Sequence, residues 1–265
     1  MSAAIKAEFR KLFTTRMWWI LLLVMVAYLG FMSIIMAFAF AFSAEEMTGG
    51  AVPGRDIATM VYSFVNPLGY VFPLIIGSLL FTSEFRHKTI TSTLLVEPNR
   101  TVLLGAKLIV GMIVGLVYGL VAITTFVVAA APFLEFLGDG AYLNDPEVWK
   151  LIAGATWAFV LWSALGVAFG GLIVNQIAAI IVIIGVTQFL EPILGLALVV
   201  WEPTQGISRF LPAAAGSSIV GENAMDMGMG AIETLSRFEG SLVLLAYIAF
   251  FAILARLITL QRDIG

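Results

Sequence analysis

The amino-acid sequence predicts an all-α membrane protein with six transmembrane helices, and two observations carry that prediction. Of its 265 residues, 61% are hydrophobic and only 12% are charged, whereas soluble domains carry roughly a quarter charged residues. The apolar residues also gather into runs long enough to cross a bilayer core about 30 Å thick, which takes roughly 20 residues of helix. Six spans are expected, at about 17–42, 60–82, 103–134, 150–174, 177–191 and 241–258. They leave no room within 1–265 for a second, soluble domain. The sequence has no cysteine, so a disulfide framework, a thiolate metal site and a thiol nucleophile are all excluded.

Residues 1–16 place Ile5, Phe9, Leu12 and Phe13 on one helical face beside Lys6, Arg10, Lys11 and Arg16, the pattern of a basic amphipathic helix lying at the membrane interface. Basic residues before the first apolar run, and Ala39 and Ala41 near its end, imitate a secretory leader. The run is too long, because a leader's apolar core is about 7 to 15 residues, so it reads as the first span. Pro67 and Pro73 should kink the second. In the third, Lys107 is expected to snorkel toward the interface, and Gly111, Gly115 and Gly119 recur at the four-residue spacing of close helix packing.

The apolar stretch 151–200 is too long for one straight span, since a helix rises 1.5 Å per residue. It should double back at Asn175 and Gln176, just after Gly170 and Gly171. Glu191 and Pro192 are expected to end the fifth span and leave 193–200 as a separate short segment, with short re-entrant helices on the outer side before the sixth span. Trp18, Trp19, Trp149 and Trp201 fall at span ends, where an interfacial aromatic belt accounts for them.

Orientation follows from the basic residues in alternate loops. One side holds ten (Lys6, Arg10, Lys11, Arg16, Arg86, Lys88, Arg100, Lys107, Arg256 and Arg262) and the other holds four (Arg55, Lys150, Arg209 and Arg237). Both termini and the loop at 83–102 are therefore expected to face the cytoplasm.

That loop is the sizeable cytoplasmic connection between spans, and it begins Ser83-Glu84-Phe85-Arg86-His87-Lys88-Thr89-Ile90. With Leu94, Leu95, Pro98, Arg100 and Lys107 it resembles the segment after the second span of ABC type-2 export permeases. Their pattern runs Glu, aromatic, Arg, any residue, Gly, Thr, then Ile or Leu, a Leu pair, Pro, Arg and later a Lys. Lys88 stands where Gly is commoner. The Leu-Pro-Ala-Ala-Ala-Gly stretch at 211–216 also resembles actinobacterial-type members.

The resemblance implies a single permease domain in a bacterial plasma membrane, exporting an amphipathic or hydrophobic substrate (drug, lipid or peptide-like) by alternating access. It also implies that the loop contains a coupling helix seated on an ATPase subunit. Glu84, Phe85, Arg86, His87, Lys88, Thr89, Ile90, Pro98 and Arg100 would be its coupling residues. A mixed-charge segment suits docking to a partner, while Phe85, Ile90 and Leu94 would anchor it to the bundle. The chain contains no Walker A sequence, so ATP and Mg would be bound by the partner ATPase and this chain would carry no cofactor and no enzymatic activity. The expected partners are two ATPase copies, a second permease copy in a homodimer, and the lipid bilayer, with no nucleic acid.

Glu191 is an ionisable residue in a membrane segment and so a candidate, with Gln188, for the transport pathway or an outer gate. The favoured structural reading is that it caps a short outer helix. Met225, Met227 and Met229 alternate so that in a strand three thioethers would share one side, as a copper(I) site needs, but Gly228 and Gly230 favour a loop, and no metal site is assigned. His87 reads as a solvated or partner-contacting side chain. An ion-gradient-driven transporter or channel is the alternative, although such proteins place several polar groups at the midplane. An intramembrane enzyme would need paired catalytic groups that the spans lack.

Overall fold

Prolines and capping side chains set several of the helix boundaries in this chain. The computed structural model describes residues 1–48, 52–137, 140–200, 204–221 and 234–259. Among the described residues, six stretches are long and apolar enough to cross a membrane: Met17–Phe42, Gly54–Arg86, Arg100–Leu137, Pro146–Gly170, Gln176–Val200 and Arg237–Ile258. The chain is all-helical where it is described.

Helix α1 covers Ser2–Thr14 and α2 covers Met17–Thr48. Ile5, Phe9 and Leu12 of α1 pack into the bundle, while Phe13 stays exposed. The second span is built from α3 (Gly54–Ser63), α4 (Val65–Gly69) and α5 (Val71–Arg86). A proline cannot donate to the carbonyl four residues earlier, and its ring clashes with it. For Pro67 and Pro73 those residues are Ser63 and Gly69, the last residues of α3 and α4. The helix is accordingly interrupted after Ser63 and after Gly69.

Next come α6 (Ile90–Val96), α7 (Arg100–Leu137) and α8 (Pro146–Gly170), the last started by Asp145, whose side chain accepts from the Glu147 N–H at 2.8 Å. The reversal falls where the sequence places it. Asn175 Oδ1 accepts from the N–H groups of Ile177 and Ala178 at 2.9 and 3.2 Å and so caps α9, Gln176–Gly185.

The expected break of the fifth span at Glu191 and Pro192 does not occur. A single wide π-turn, Val186–Leu190, carries α9 directly into α10, Glu191–Val200. In that register the Glu191 N–H bonds the Val186 carbonyl, and the next bond would fall to residue 192, whose proline nitrogen carries no hydrogen. The carbonyl left over is that of Thr187, and the Tyr70 hydroxyl donates to it at 2.9 Å. A side chain from another span thus supplies the missing donor, and 193–200 continues the span.

Two short helices, α11 (Gln205–Ser208) and α12 (Pro212–Val220), precede α13, Arg237–Leu254, which ends in a wide turn over Ala255–Thr259. Ser236 and Glu239 form a reciprocal capping box at the start of α13.

The central element is α8, which packs against α5, α7, α12 and α13. The glycine repeat of α7 serves that packing. A methyl group at Gly115 would come within 2.7 Å of both the Phe159 carbonyl oxygen and Ser163 Cβ, and one at Gly119 within 2.9 Å of the Thr156 carbonyl oxygen. Ser163 then donates to the Gly111 carbonyl at 2.7 Å. The repeat brings two spans of one chain together.

Candidate functional site: a buried charge network at the 83–107 segment

Glu8 and Lys11 lie one turn apart on α1, and Glu8 is directed inward together with Leu12. Glu84 sits in the last turn of α5 and Lys107 in the early turns of α7. Lys107 Nζ donates to Glu8 Oε2 at 2.6 Å, to Glu84 Oε1 at 2.5 Å and to the Leu80 carbonyl at 2.7 Å. Lys11 Nζ donates to Glu8 Oε1 at 2.6 Å, to Glu84 Oε1 at 2.8 Å and to Thr93 Oγ1 at 3.0 Å. An ammonium has three donors, and both are fully used. Two carboxylates balance two ammonium groups, so the network is neutral.

Lys107 does not snorkel as expected. It is 0% exposed and turned into the bundle, because Glu8 and Glu84 offer it partners there and the Phe81 ring lies 4.9 Å from its nitrogen. Burial would by itself lower the pKa of Lys11, but its hydrogen bonds to Glu8 and Glu84 outweigh that and hold it above its usual value of 10.5. Taking one partner out of such a buried network costs about 3–5 kcal/mol, because it strands a charge.

The segment between Glu84 and Lys107 hangs from this network. α5 closes with the Thr89 N–H bonding the Glu84 carbonyl at 2.9 Å, around a Lys88 backbone at φ 55°. That is the left-handed conformation for which glycine is suited, so Lys88 adopts the turn despite its side chain. The Lys11 bond to Thr93 ties α6 to α1. Ile90 is buried and Phe85 packs against the core, whereas Arg86, His87, Lys88, Thr89 and Leu95 are exposed. Arg86 Nη1 reaches Gln176 Oε1 at the start of α9, at 3.4 Å. Pro98 is exposed, Arg100 opens α7, and Asn99 Oδ1 caps that helix by accepting from Thr101 and Val102 N–H at 3.1 and 3.3 Å. A cavity of about 540 Å³ beside the network is bordered by Arg16, Arg86, His87 and Gln176.

Of the residues singled out in the sequence, the structure joins Glu84 to Lys107 and sets Arg86, His87 and Lys88 on one exposed turn. Sequence reasoning missed Glu8, Lys11 and Thr93 as parts of the same site. The available signal was Glu8, an acidic residue four positions before Leu12 on the otherwise apolar side of α1. Glu191 is buried, and its Oε1 accepts from the Ala213 N–H in the first turn of α12. It thus accepts from a short helix, but from within the fifth span rather than from its expected end. Gln188 is exposed and makes a 3.4 Å bond to the Thr187 hydroxyl, so it does not join Glu191. Met225, Met227, Met229 and Trp201 lie outside the described residues.

Six helices long and apolar enough to cross a membrane, with a short helix hydrogen-bonded to a buried charge network, define a multi-pass membrane protein. Residues 4–199 match the family model described as ABC-2 family transporter protein, and the chain belongs to that family. No match is found among curated proteins. The chain is therefore the membrane permease of an ABC transporter, and membership implies a partnering ABC ATPase subunit. It also favours the ATP-driven reading over the ion-gradient-driven one.

Proposed function

We propose that this permease exports an amphipathic or hydrophobic substrate, a drug, lipid or peptide-like compound, by alternating access. Segment 83–100 acts as the coupling element that an ATPase subunit grips. The observation that carries this reading is the network of Glu8, Lys11, Glu84 and Lys107. A push on α6 has to pass through packed, hydrogen-bonded contacts if it is to move a span. Through Thr93, Lys11 and Glu84, the network links α6 to α1, α5 and α7 at once.

The exposed turn Arg86-His87-Lys88-Thr89, with Pro98 and Arg100 nearby, is the face offered to the ATPase, and Phe85 and Ile90 hold it to the bundle. The excess of Lys and Arg on the side of this segment supports a cytoplasmic position for it and for both termini, in a bacterial plasma membrane. The working complex has two permease copies, as a homodimer, and two ATPases. ATP and Mg are held by the ATPase, where hydrolysis takes place.

A chain without cysteine makes the docking claim direct to test. In a His87→Cys variant copurified with its ATPase, a short photoreactive cross-linker attached to the new thiol should insert into the ATPase and join the two subunits. An assembled complex that yields no cross-link from His87→Cys, Lys88→Cys or Thr89→Cys contradicts this docking.

A further inference from the structure

A second cavity, of about 260 Å³, lies within the bundle between α5, α8, the α9–α10 span, α12 and α13, away from the charge network. Its walls are mostly aliphatic, but four of the lining residues are aromatic: Trp162, Phe169, Tyr247 and Phe251. The one ionisable acid among them is Glu191, and no Lys, Arg or His lines the space. Among the described residues Glu191 has no ion-pair partner, and its one hydrogen-bond donor is the Ala213 N–H. The Trp162 side chain is 1% exposed, and its indole N–H is also without a partner there.

A carboxylate in an apolar membrane cavity requires a counter-charge or a proton. Aromatic faces beside such a carboxylate attract organic cations through the ring quadrupole. The volume lies just below the roughly 300–1,000 Å³ typical of small-molecule sites, which limits the occupant to a small molecule. Two of the bounding spans, Gln176–Val200 and Arg237–Ile258, are mostly exposed along their length, at 22% and 17% buried, so a ligand dissolved in the bilayer can approach between them.

We propose that this cavity binds a small lipophilic organic cation of the quaternary ammonium or N-alkylpyridinium class, its charge paired with Glu191 and its apolar body held among Trp162, Phe169 and Phe251. The assignment rests on the exporter reading only for the claim that the occupant is cargo. Binding itself stands apart from that reading.

The test uses purified permease in neutral-lipid nanodiscs, without ATPase or ATP, titrated with the fluorescent cation dimethylaminostyryl-methylpyridinium and with neutral dimethylaminostilbene. The cation should bind saturably and more tightly than the stilbene. Glu191→Gln keeps an acceptor for Ala213 and should weaken cation binding at least about tenfold while leaving the stilbene unchanged. Ile183→Trp, which fills the cavity, should abolish saturable binding of the cation, and it decides the matter if Glu191→Gln does not fold. Equal affinity for both probes, no saturable binding, or a cation affinity untouched by these substitutions overturns the site. Such a failure leaves the exporter reading standing. Intact binding, with no ATP-dependent transport of the cation by the permease–ATPase complex in vesicles, would instead remove the cargo claim and leave the site.

Discussion

Lys107 and Glu84 lie 2.5 Å apart, joining the early turns of α7 to the last turn of α5 at the two ends of the segment between them. Glu8 at 2.6 Å from the same ammonium brings in α1. Three helices, α1 lying far from the other two in sequence, are thereby clamped at one point.

Lys107→Met leaves two buried carboxylates sharing one ammonium. It should destabilise the fold by about 3–5 kcal/mol, seen as a lower midpoint in thermal unfolding of the detergent-solubilised protein. Adding Glu84→Gln should recover part of that loss, because the second change removes one stranded charge. Strictly additive destabilisation would show that the pair does not interact.

Tyr70→Phe removes the donor to the Thr187 carbonyl and should cost about 1–3 kcal/mol. In a Pro192→Ala background the new N–H at 192 can take that carbonyl, so the cost of Tyr70→Phe should largely vanish. Thermal unfolding of the four combinations checks this.

Lys88→Gly relieves a left-handed backbone and should raise stability by up to about 1 kcal/mol, whereas Lys88→Val, branched at Cβ, should lower it. If docking depends on the shape of this turn rather than on the lysine charge, ATPase copurification should survive Lys88→Gly and fail in Lys88→Val.

Lys11 titrates above its ordinary pKa, so its stabilising contribution is complete below pH 10.5 and is lost as pH rises through the higher folded value. Protease access to α1 should therefore stay flat from neutral pH to about pH 10 and rise beyond it. In Lys11→Met it should be high throughout.

Much of the architecture was legible because its causes are local. Pro67 and Pro73 each stop a helix four residues upstream, and Asn175 caps the helix that follows it. The fifth span was misread at Pro192 because the rescuing donor, Tyr70, is 117 residues from Thr187. Lys107 was misplaced for a similar reason. Seen along α7 alone it is a cation near a helix start, and its partner Glu8 lies 99 residues away. The motif marked Glu84 and the turn after it, but neither periodicity nor spacing ties that turn to α1.

The central claim is that motion at α6 reaches α1, and through it the bundle, by way of the charge network, and it can be measured without knowing the substrate. Leu95 on α6 and Phe13 on α1 are exposed at 79% and 59%, and each can be replaced by a single labelled cysteine in a chain that has none. When ATP is added to the permease–ATPase complex, both labels should change their fluorescence distance to a fixed label at Trp157→Cys. In Glu84→Gln and Lys107→Met complexes that still assemble, the Leu95 label should still move while the Phe13 label stays still. An undiminished Phe13 response in those variants would contradict the account.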